Sequence, residues 1–380
     1  MLPAVCLGEF FDMVMYPLLG ISKTSERCAR MPRELTIDGT LISDDSDCYV
    51  IAEIGHNHQG DMDQARQLIA AAKECGADAV KIQKRDNKNL FTPELYNAPY
   101  DHENSFGTTY GEHREFLELS REQIAELQQY AKELGITLFA SVFDFGSAEL
   151  MNQLGAPAFK MASGDLLNTP LLKYIASFGK PMIVSTGGAT MDDVRRAVDA
   201  VMPLNPQLCL LQCTAGYPPA FEELNLRVLT TFRQEFPEVV VGLSSHVSGI
   251  AMDLTAYMLG ARVVEKHFTL NRAMKGTDHA FSLERPGLRK LVRDLRRARV
   301  AVGDGVKRAY PSEKKPLYKM GKKLVAARDL NVGTVLTAAD VAIRSPNDGL
   351  PPYELDGILG RRLNKDLAAH ENIRWQDLGD

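Results

Sequence analysis

Charged side chains interrupt several apolar segments of this 380-residue chain. Lys81 and Gln83 lie two residues apart in DAVKIQK, so they share one face of a predicted strand. Lys160 lies in a second such segment, AFKMAS. Two inward-facing lysines beside hydroxyl groups predict an anion pocket, because Lys supplies positive charge and Ser supplies hydrogen-bond donors. The serines that end or follow the apolar segments are Ser163, Ser185, Ser244 and Ser245.

Two acidic residues interrupt apolar segments as well, Glu53 in YVIAEIG and Glu265 in ARVVEKHF. For any single charge the alternative explanation is a strand-end ion pair, such as Glu with Lys. Several charges together favour a binding site, because buried strands are otherwise continuous apolar runs. A ligand that carries both a phosphate and a carboxylate would match the two lysines.

Two histidines lie at the ends of consecutive apolar segments, His246 after VVVGLSS and His267 within ARVVEKHF. In neighbouring strands their imidazoles would converge. Two imidazoles that leave other positions to water suit an octahedral ion such as Mn²⁺, with open positions for a substrate. The pair His56 and His58, in GHNHQGD, is predicted to bind polar substrate groups or water rather than zinc.

These segments alternate with amphipathic helical segments from residue 49 onward. Several helical segments begin at Ser, Thr or Asp and end at Gly, as capped helices do. Eight strand–helix units within about 250 residues predict an α/β fold, a TIM (β/α)8 barrel. A doubly wound open sheet is the alternative, but the even repeats lack a GxGxxG turn. The predicted strands are 49–55, 78–84, 136–143, 157–163, 181–186, 208–214, 239–245 and 261–268.

Changes in composition and in hydrophobic periodicity along the sequence divide the chain into four parts. Residues 1–44 are predicted to be a loosely ordered extension, and residues 45–303 the barrel. A basic, proline-containing linker over 304–322 precedes a small β-rich domain over 323–380. Within the barrel, the segment 85–118 is too long for an ordinary loop, which predicts a lid or a binding loop.

Composition argues against several function classes. A net charge of −5 gives no basic bias, so neither nucleic acid nor a membrane surface is an expected partner. Six cysteines without a CxxC pair favour free thiols, a reducing compartment and therefore the cytoplasm. The chain has no apolar run of the roughly 18 residues that a transmembrane helix needs.

The motifs of the predicted barrel resemble those of the sialic acid synthase family, which includes N-acetylneuraminate synthase and its 9-phosphate counterpart. The small C-terminal domain resembles the antifreeze-like (SAF) domain that the family carries behind its barrel. The resemblance spans about residues 49–380. Its motifs occur in the family's order: AEIGHNHQGD, VKIQK, KMASGD, STGG, CTAGYP, GLSSH, EKHFTL and KGTDHAFSLE.

The resemblance implies that phosphoenolpyruvate condenses with the open-chain aldehyde of an N-acyl amino sugar such as N-acetylmannosamine, with loss of phosphate by C–O cleavage. It implies that His246 and His267 ligate Mn²⁺ or Mg²⁺, and that Glu265 acts near the metal. Contacts to the sugar are implied for Glu53, Tyr217 and Asp278, with Glu53 also a proton-transfer group. Contacts to phosphoenolpyruvate are implied for Lys81, Ser141, Lys160, Ser163, Ser185 and Ser244, and Gln83 shares the face of Lys81.

Several points stay open at this stage. Ala215 stands where many bacterial members have Asn. The resemblance also implies a homodimer in which the SAF domain of one subunit caps the barrel of the other, and Arg344 is the candidate for the arginine that reaches the partner's site. The acceptor could instead lead to legionaminic or pseudaminic acid, or carry a phosphate, as NHQGD and TYGEHR suggest. A carbohydrate-binding protein with an inactive barrel is the non-enzymatic alternative.

Overall fold

The computed structural model describes residues 32–379. Its larger unit is a closed barrel of eight parallel strands, β3 to β10, in which each strand pairs with the next in the chain and β10 pairs with β3. The predicted barrel and all eight of its strands are confirmed. They are Tyr49–Glu53, Ala79–Lys84, Thr137–Val142, Phe159–Met161, Met182–Ser185, Leu208–Cys213, Val240–Ser245 and Val263–His267.

Helices alternate with the strands and cover the outside of the barrel. Asp61, Ser120 and Thr190 cap the N-termini of α1, α5 and α8 with their side chains, and Gly76 and Gly135 end α1 and α5 in the left-handed conformation. The helices of this unit, α1 to α11, are Met62–Cys75, Asn87–Leu90, Pro93–Tyr96, Tyr110–Phe116, Arg121–Leu134, Phe145–Gln153, Thr169–Ala176, Met191–Val201, Val228–Glu235, Ala251–Met258 and Arg285–Val302.

A β-hairpin formed by β1 (Glu34–Ile37) and β2 (Thr40–Ser43) precedes the barrel. Leu35, Ile37 and Ile42 are buried and pack against the lower barrel interior in one apolar cluster that includes Phe139. The expectation of a loosely ordered extension over 1–44 is therefore wrong for residues 34–43, because their alternating apolar residues form part of the core. Residues 1–31 of that extension lie outside the described part.

Residues 303–379 form a second compact unit. Its own apolar core includes Leu324, Leu336, Ile358 and Ile373. The expected linker contains a short helix, α12 (Lys314–Met320), rather than irregular chain throughout. The remaining elements are β11 (Lys323–Ala326), β12 (Val341–Arg344), α13 (Leu355–Ile358), β13 (Arg362–Leu363) and β14 (Leu378–Gly379), and the strands pair β11 with β12 and β13 with β14.

Two expectations from composition can be compared with residues 32–379. No helix there combines the length and the apolar character needed to cross a membrane. The four cysteines in that range, Cys48, Cys75, Cys209 and Cys213, are buried free thiols, as the spacing of the cysteines predicts.

The hairpin gives a stability prediction. We expect Ile37→Ala to lower the free energy of unfolding by about 2–5 kcal/mol, because it leaves a cavity where a fully buried side chain stood. Leu41→Ala in the same hairpin is the matched control; Leu41 is 51% exposed, so its change should stay within about 0.5 kcal/mol. Urea denaturation measures both, and equal effects would show that the hairpin does not belong to the barrel core.

Candidate active site

The register of the parallel strands brings the predicted site residues to the C-terminal mouth of the barrel. Glu53 of β3 lies beside both Lys81 of β4 and His267 of β10. Ser141 of β5 lies beside Lys160 of β6 in the same way. A cavity of about 370 Å³ opens here, within the range of ligand sites. It is lined by Glu53, Lys81, Gln83, Ser141, Lys160, Ser163, Ser185, Tyr217, Ser244, His246, Glu265, His267 and Asp278.

Two buried lysines form the floor of this cavity. Lys81 Nζ donates a hydrogen bond to Ser141 Oγ at 2.7 Å, and Lys160 Nζ donates one to Ser185 Oγ at 2.7 Å. An ammonium group only donates, so each serine accepts with its oxygen and keeps its own hydroxyl proton for another partner. Burial lowers the pKa of Lys160, and the neighbouring Glu265 opposes that effect.

Carboxylates balance the two lysines. Lys81 forms an ion pair with Glu53, and Glu265 Oε1 lies 3.8 Å from the Nζ atoms of both Lys81 and Lys160. The strand-end ion pair, which is the alternative for any single charge, therefore exists here, yet it lines a cavity rather than filling it. The second oxygen of Glu265 is buried and has no hydrogen-bond partner within residues 32–379.

Gln83 and Gly55 position the carboxylate of Glu53. Gln83 Nε2 donates to Glu53 Oε1 at 3.0 Å. A Cβ atom at Gly55 would collide with that same oxygen and would lie 2.5 Å from Gln83 Cγ. Only glycine therefore lets the backbone pass this close to the two side chains.

The two histidines predicted to bind a metal lie side by side, with ring centroids 5.4 Å apart. His246 Nδ1 is 3.1 Å from the carbonyl oxygen of Thr214, which can only accept, so Nδ1 carries the proton and Nε2 is free to ligate. His267 Nδ1 is buried without a hydrogen-bond partner in the described chain. Burial lowers the pKa of each imidazole to about 3, which keeps both neutral, as metal ligation requires.

His246 and His267 fit a divalent ion that leaves most of its coordination positions to other ligands. Within residues 32–379, no three His, Cys, Asp or Glu side chains are grouped so that they could hold a metal by themselves. An ion at His246 and His267 would thus take its remaining ligands from water or substrate, the arrangement that the sequence predicts.

Asp278 and Tyr217 form part of the rim of the cavity. Asp278 Oδ2 lies 3.6 Å from His267 Nδ1 and 3.8 Å from His56 Nδ1. Burial raises the pKa of Asp278. The ring of Tyr217, which is 58% exposed, lies 4.2 Å from that of His246.

A buried ion pair outside the barrel interior supports the loop that carries His246. Lys266 Nζ donates to the carbonyl oxygen of Val247 at 2.6 Å and to Ser245 Oγ at 2.9 Å, and it lies 3.4 Å from Asp253 Oδ2. Alternation along β10 explains the arrangement, since Glu265 and His267 face the cavity and Lys266 faces the helices.

Sequence reasoning missed two cationic lining residues, Arg85 and Arg114. Arg85 lies two residues after Gln83 and one residue beyond the end of β4, so it continues the spacing of Lys81 and Gln83, and that spacing was the available signal. Arg114 lies on α4, so the long segment 85–118 contributes to the lining of the cavity; its role as a lid or binding loop stays a prediction.

Two predicted residues of the barrel, His58 and Ser245, do not line the cavity: Ser245 Oγ accepts from Lys266, and His58 Nδ1 accepts from the backbone of Gly60. Arg344 lies in the second unit, where it is exposed at the end of β12.

A larger open groove of about 810 Å³ lies at the other end of the strands, where Asp78 and Thr137 precede and begin β4 and β5. Its charged residues come from helix ends and loops, and it contains neither imidazoles nor paired buried lysines. In barrels of this kind the chemistry takes place at the C-terminal ends of the strands. We therefore assign the site to the smaller cavity.

Comparison with known proteins identifies relatives over most of the chain. The NeuB family profile matches residues 68–307, and the SAF domain profile matches residues 323–379. The chain is 41% identical over 345 residues to N-acetylneuraminate-9-phosphate synthase of Homo sapiens, which covers 90% of this chain and 96% of that protein. It is 36% identical over 333 residues to N,N'-diacetyllegionaminic acid synthase of Campylobacter jejuni, covering 86% and 98% respectively.

The chain is also similar in fold to solved structures. The N-acetylneuraminic acid synthetase of Leptospira borgpetersenii, in complex with citrate, matches with a TM-score of 0.66 at 28% identity and covers 76% of this chain and 96% of that one. A truncated 3-deoxy-D-arabino-heptulosonate 7-phosphate synthase of Thermotoga maritima matches with a TM-score of 0.56 at 14% identity, over 73% of this chain and 95% of that one, which shows the barrel fold alone.

The lowered pKa values of His246 and His267 predict a pH dependence of stability. Both imidazoles should stay neutral in the folded protein at pH 5, whereas in the unfolded chain they titrate near about 6.5. Because the unfolded chain takes up the protons first, the free energy of unfolding should fall as the pH drops below about 6.5, by up to about 1.4 kcal/mol per pH unit for each imidazole. Urea denaturation between pH 4 and pH 7 measures this slope.

The control is the double variant His246→Asn with His267→Asn. Its slope should be shallower than that of the unmodified protein, since it lacks the two groups that bind protons only after unfolding. Identical slopes would mean that both imidazoles take up protons at the same pH in the folded and the unfolded protein.

Proposed function

Because the chain belongs to the NeuB family, as its resemblance to sialic acid synthases predicts, we propose that it condenses phosphoenolpyruvate with the aldehyde of an N-acyl amino sugar and releases phosphate. The single observation that carries the proposal is the cavity at the barrel mouth. There, two buried lysines with their serines face two neutral imidazoles. Phosphoenolpyruvate carries two anionic groups, and an aldehyde needs a cation at its oxygen; this one cavity provides for both.

Lys81, Lys160 and the serines bind phosphoenolpyruvate. The hydroxyl protons of Ser141 and Ser185 are free to donate to anionic oxygens, because both serines accept from a lysine. Ser163, Ser244 and Gln83 complete the set that lines this end of the cavity. When phosphoenolpyruvate binds, its negative groups take over part of the charge compensation that Glu53 and Glu265 provide without it.

The amino sugar lies toward the rim, where Asp278 and Tyr217 contact it. Glu53 transfers a proton during the condensation, a role that its position beside Lys81 and His267 in the strand register supports. Glu265 lies between both lysines and orients the charged groups of the floor.

His246 and His267 hold the divalent ion, Mn²⁺ or Mg²⁺. When bound, that ion supplies a positive charge for the aldehyde oxygen and for a water molecule. The chain's own contribution is to keep both imidazoles neutral, through burial and through the carbonyl of Thr214.

The reaction balances without an oxidant or a further cosubstrate. C3 of phosphoenolpyruvate forms a bond to the aldehyde carbon, whose oxygen takes up a proton. Water then adds at C2, and the C–O bond to phosphate breaks, which leaves a 2-keto acid three carbons longer than the sugar. The lysines fix the two anionic ends of phosphoenolpyruvate so that C3 faces the aldehyde.

Acceptors that lead to N-acetylneuraminate, legionaminic acid or pseudaminic acid share the aldehyde and the acylated nitrogen, so the proposed condensation applies to each of them. A carbohydrate-binding protein with an inactive barrel is the alternative from another class. The retention of Lys81, Lys160, His246 and His267 around one cavity favours an enzyme.

The protein acts as a homodimer in the cytoplasm, with the SAF domain of each subunit capping the barrel of its partner. Support for the dimer comes from Arg344, which is exposed in the C-terminal unit, where it could contact a second subunit. The free thiols of the described chain suit a reducing compartment.

The direct test is phosphate release from phosphoenolpyruvate with a panel of N-acyl amino sugars, before and after treatment with a chelator. We expect sugar-dependent release that the chelator abolishes and Mn²⁺ restores. Lys160→Met should lower kcat/KM for phosphoenolpyruvate by about 100-fold or more, since a buried charge-assisted contact is lost. Lys173→Met, an exposed lysine on α7, is the matched control. Binding of sugars without any phosphate release would favour the carbohydrate-binding alternative.

Mixing two inactive variants tests the capping arrangement. If Arg344 serves the partner's site, then Arg344→Ala and Lys160→Met should each be impaired alone, yet a re-equilibrated equal mixture should recover about a quarter of the normal activity, because half of its dimers contain one intact site. Recovery is measured as phosphate release at a series of enzyme concentrations. Arg374→Ala, another exposed arginine of the same unit, should be unimpaired alone. No recovery in the mixture would place Arg344 in its own subunit's site or outside the site.

A further inference from the structure

Lys266 is a buried lysine that lies behind the pair of histidines rather than in the cavity. It stands between Glu265 and His267 in β10, and strand alternation turns its side chain away from the cavity and toward the helices. The residue is 1% exposed and does not line the cavity at the barrel mouth. Burying an ammonium group costs free energy, so a lysine at this position needs an explanation other than contact with a substrate.

The ammonium group of Lys266 bonds to one continuous stretch of the chain. Its Nζ donates to Ser245 Oγ at 2.9 Å and to the carbonyl oxygen of Val247 at 2.6 Å, and it forms a buried ion pair with Asp253 Oδ2 at 3.4 Å. An ammonium group has three protons, so these contacts use its full capacity as a donor. The partners belong to the last residue of β9, the loop after it and the first turn of α10.

That loop, residues 246–250, carries His246 and has few backbone hydrogen bonds. Within residues 32–379, none of its N–H groups donates to a backbone carbonyl, and among its carbonyls only that of Ile250 accepts from a backbone N–H. Ile250 also provides no side-chain cap for α10. The bond from Lys266 to the carbonyl of Val247 is therefore the contact that holds the loop backbone directly after His246.

Lys266 thereby connects the supports of both imidazoles. His267 follows it directly in β10, while its Nζ holds the residue that follows His246. Lys266 pairs with Ser245 in the strand register, so the two histidines follow paired residues of neighbouring strands. The centroids of their rings lie 5.4 Å apart. Because the barrel fixes His267, a displaced loop would change this separation.

A second contact holds the ring of His246 and has a different effect. His246 Nδ1 lies 3.1 Å from the carbonyl oxygen of Thr214. This contact sets the position of the proton and the rotation of the ring. The contact from Lys266 instead sets the backbone from which the ring projects, so the two contacts complement each other.

We propose that Lys266 is a positioning residue for the divalent ion: by holding the carbonyl of Val247, it keeps His246 at the distance from His267 at which both imidazoles can ligate one ion. This inference rests on the proposed function, which assigns the ion to the two histidines. It adds a residue that contacts neither the ion nor a substrate. Loss of a partner that supports a metal-ligating histidine typically costs about 10- to 100-fold in metal affinity.

Direct binding of Mn²⁺ to the full-length protein, without substrates, tests the proposal because it does not depend on turnover. The protein is first stripped of metal with a chelator that is then removed, and free Mn²⁺ is measured by its EPR signal. Lys266→Met keeps the length of the side chain but removes the donor, so it should raise the dissociation constant for Mn²⁺ by about 10-fold or more. At saturating Mn²⁺, KM for phosphoenolpyruvate should change by less than about 3-fold, because Lys81 and Lys160 are untouched.

Two variants at Asp253 separate positioning from stability. Lys266→Met leaves the buried carboxylate of Asp253 without its cation, which is destabilising, and the double variant with Asp253→Leu removes both charges and should regain most of the thermal stability. The double variant still lacks a donor for Val247, so its affinity for Mn²⁺ should stay about 10-fold or more below that of the unmodified protein. Asp253→Asn alone keeps that donor and should bind Mn²⁺ within about 3-fold of the unmodified protein.

Lys84→Met is the matched control. Lys84 ends β4, and its Nζ donates to Glu118 Oε2 at 2.9 Å and to the carbonyl oxygen of Leu119 at 3.1 Å. The variant therefore also removes a lysine near the end of a barrel strand that bonds a carboxylate and a loop carbonyl. Because β4 carries neither histidine, the dissociation constant for Mn²⁺ should stay within about 2-fold of that of the unmodified protein.

The outcomes separate this inference from the proposed function. Unchanged Mn²⁺ affinity in Lys266→Met, or affinity that returns together with stability in the double variant, would overturn the positioning role and leave the metal site and the synthase activity standing. An equal loss of affinity in Lys84→Met would overturn it as well, since the effect would then not be specific to Lys266. Failure of the unmodified protein to bind Mn²⁺ would overturn the metal assignment of the proposed function and this inference with it.

Discussion

The site depends on one electrostatic constraint, which is that two ammonium groups are buried at the floor of a barrel. Burying an unpaired charge is prohibitively costly, so Lys81 and Lys160 can exist there only with compensation. Glu53, Glu265 and two serine hydroxyls provide it in the ligand-free protein. The same compensation leaves two hydroxyl protons and an open cavity at the floor, where we propose that phosphoenolpyruvate binds.

The rest of the site follows from strand alternation around that floor. Inward positions of β10 provide Glu265 and His267, and the intervening Lys266 faces outward, where it fixes the loop after β9 through Val247. The imidazoles remain neutral because they are buried. A single register thus brings together a cationic floor and a pair of uncharged imidazoles at one mouth of the barrel.

Much of this arrangement was predictable, and the errors have physical explanations. Eight apolar segments gave the eight strands because parallel strands are buried on both faces. The hairpin over 34–43 was missed because its four-residue strands are too short to give a clear alternating pattern, and only packing against Phe139 makes them part of the core. Arg85 was missed because it lies one residue beyond the strand, where alternation no longer had to hold.

By itself, the sequence determined the family, the barrel and the residue types at its mouth, because local hydrophobic periodicity and strand-end chemistry are encoded within short segments. The tertiary structure alone decided which charges are compensated. Lys81 and Lys160 meet carboxylates from other strands. Arg85 and Arg114, 29 residues apart in the chain, meet at His56, and within residues 32–379 neither forms an ion pair. Compensation depends on distances between side chains that are remote in sequence, and only the closed barrel sets those distances.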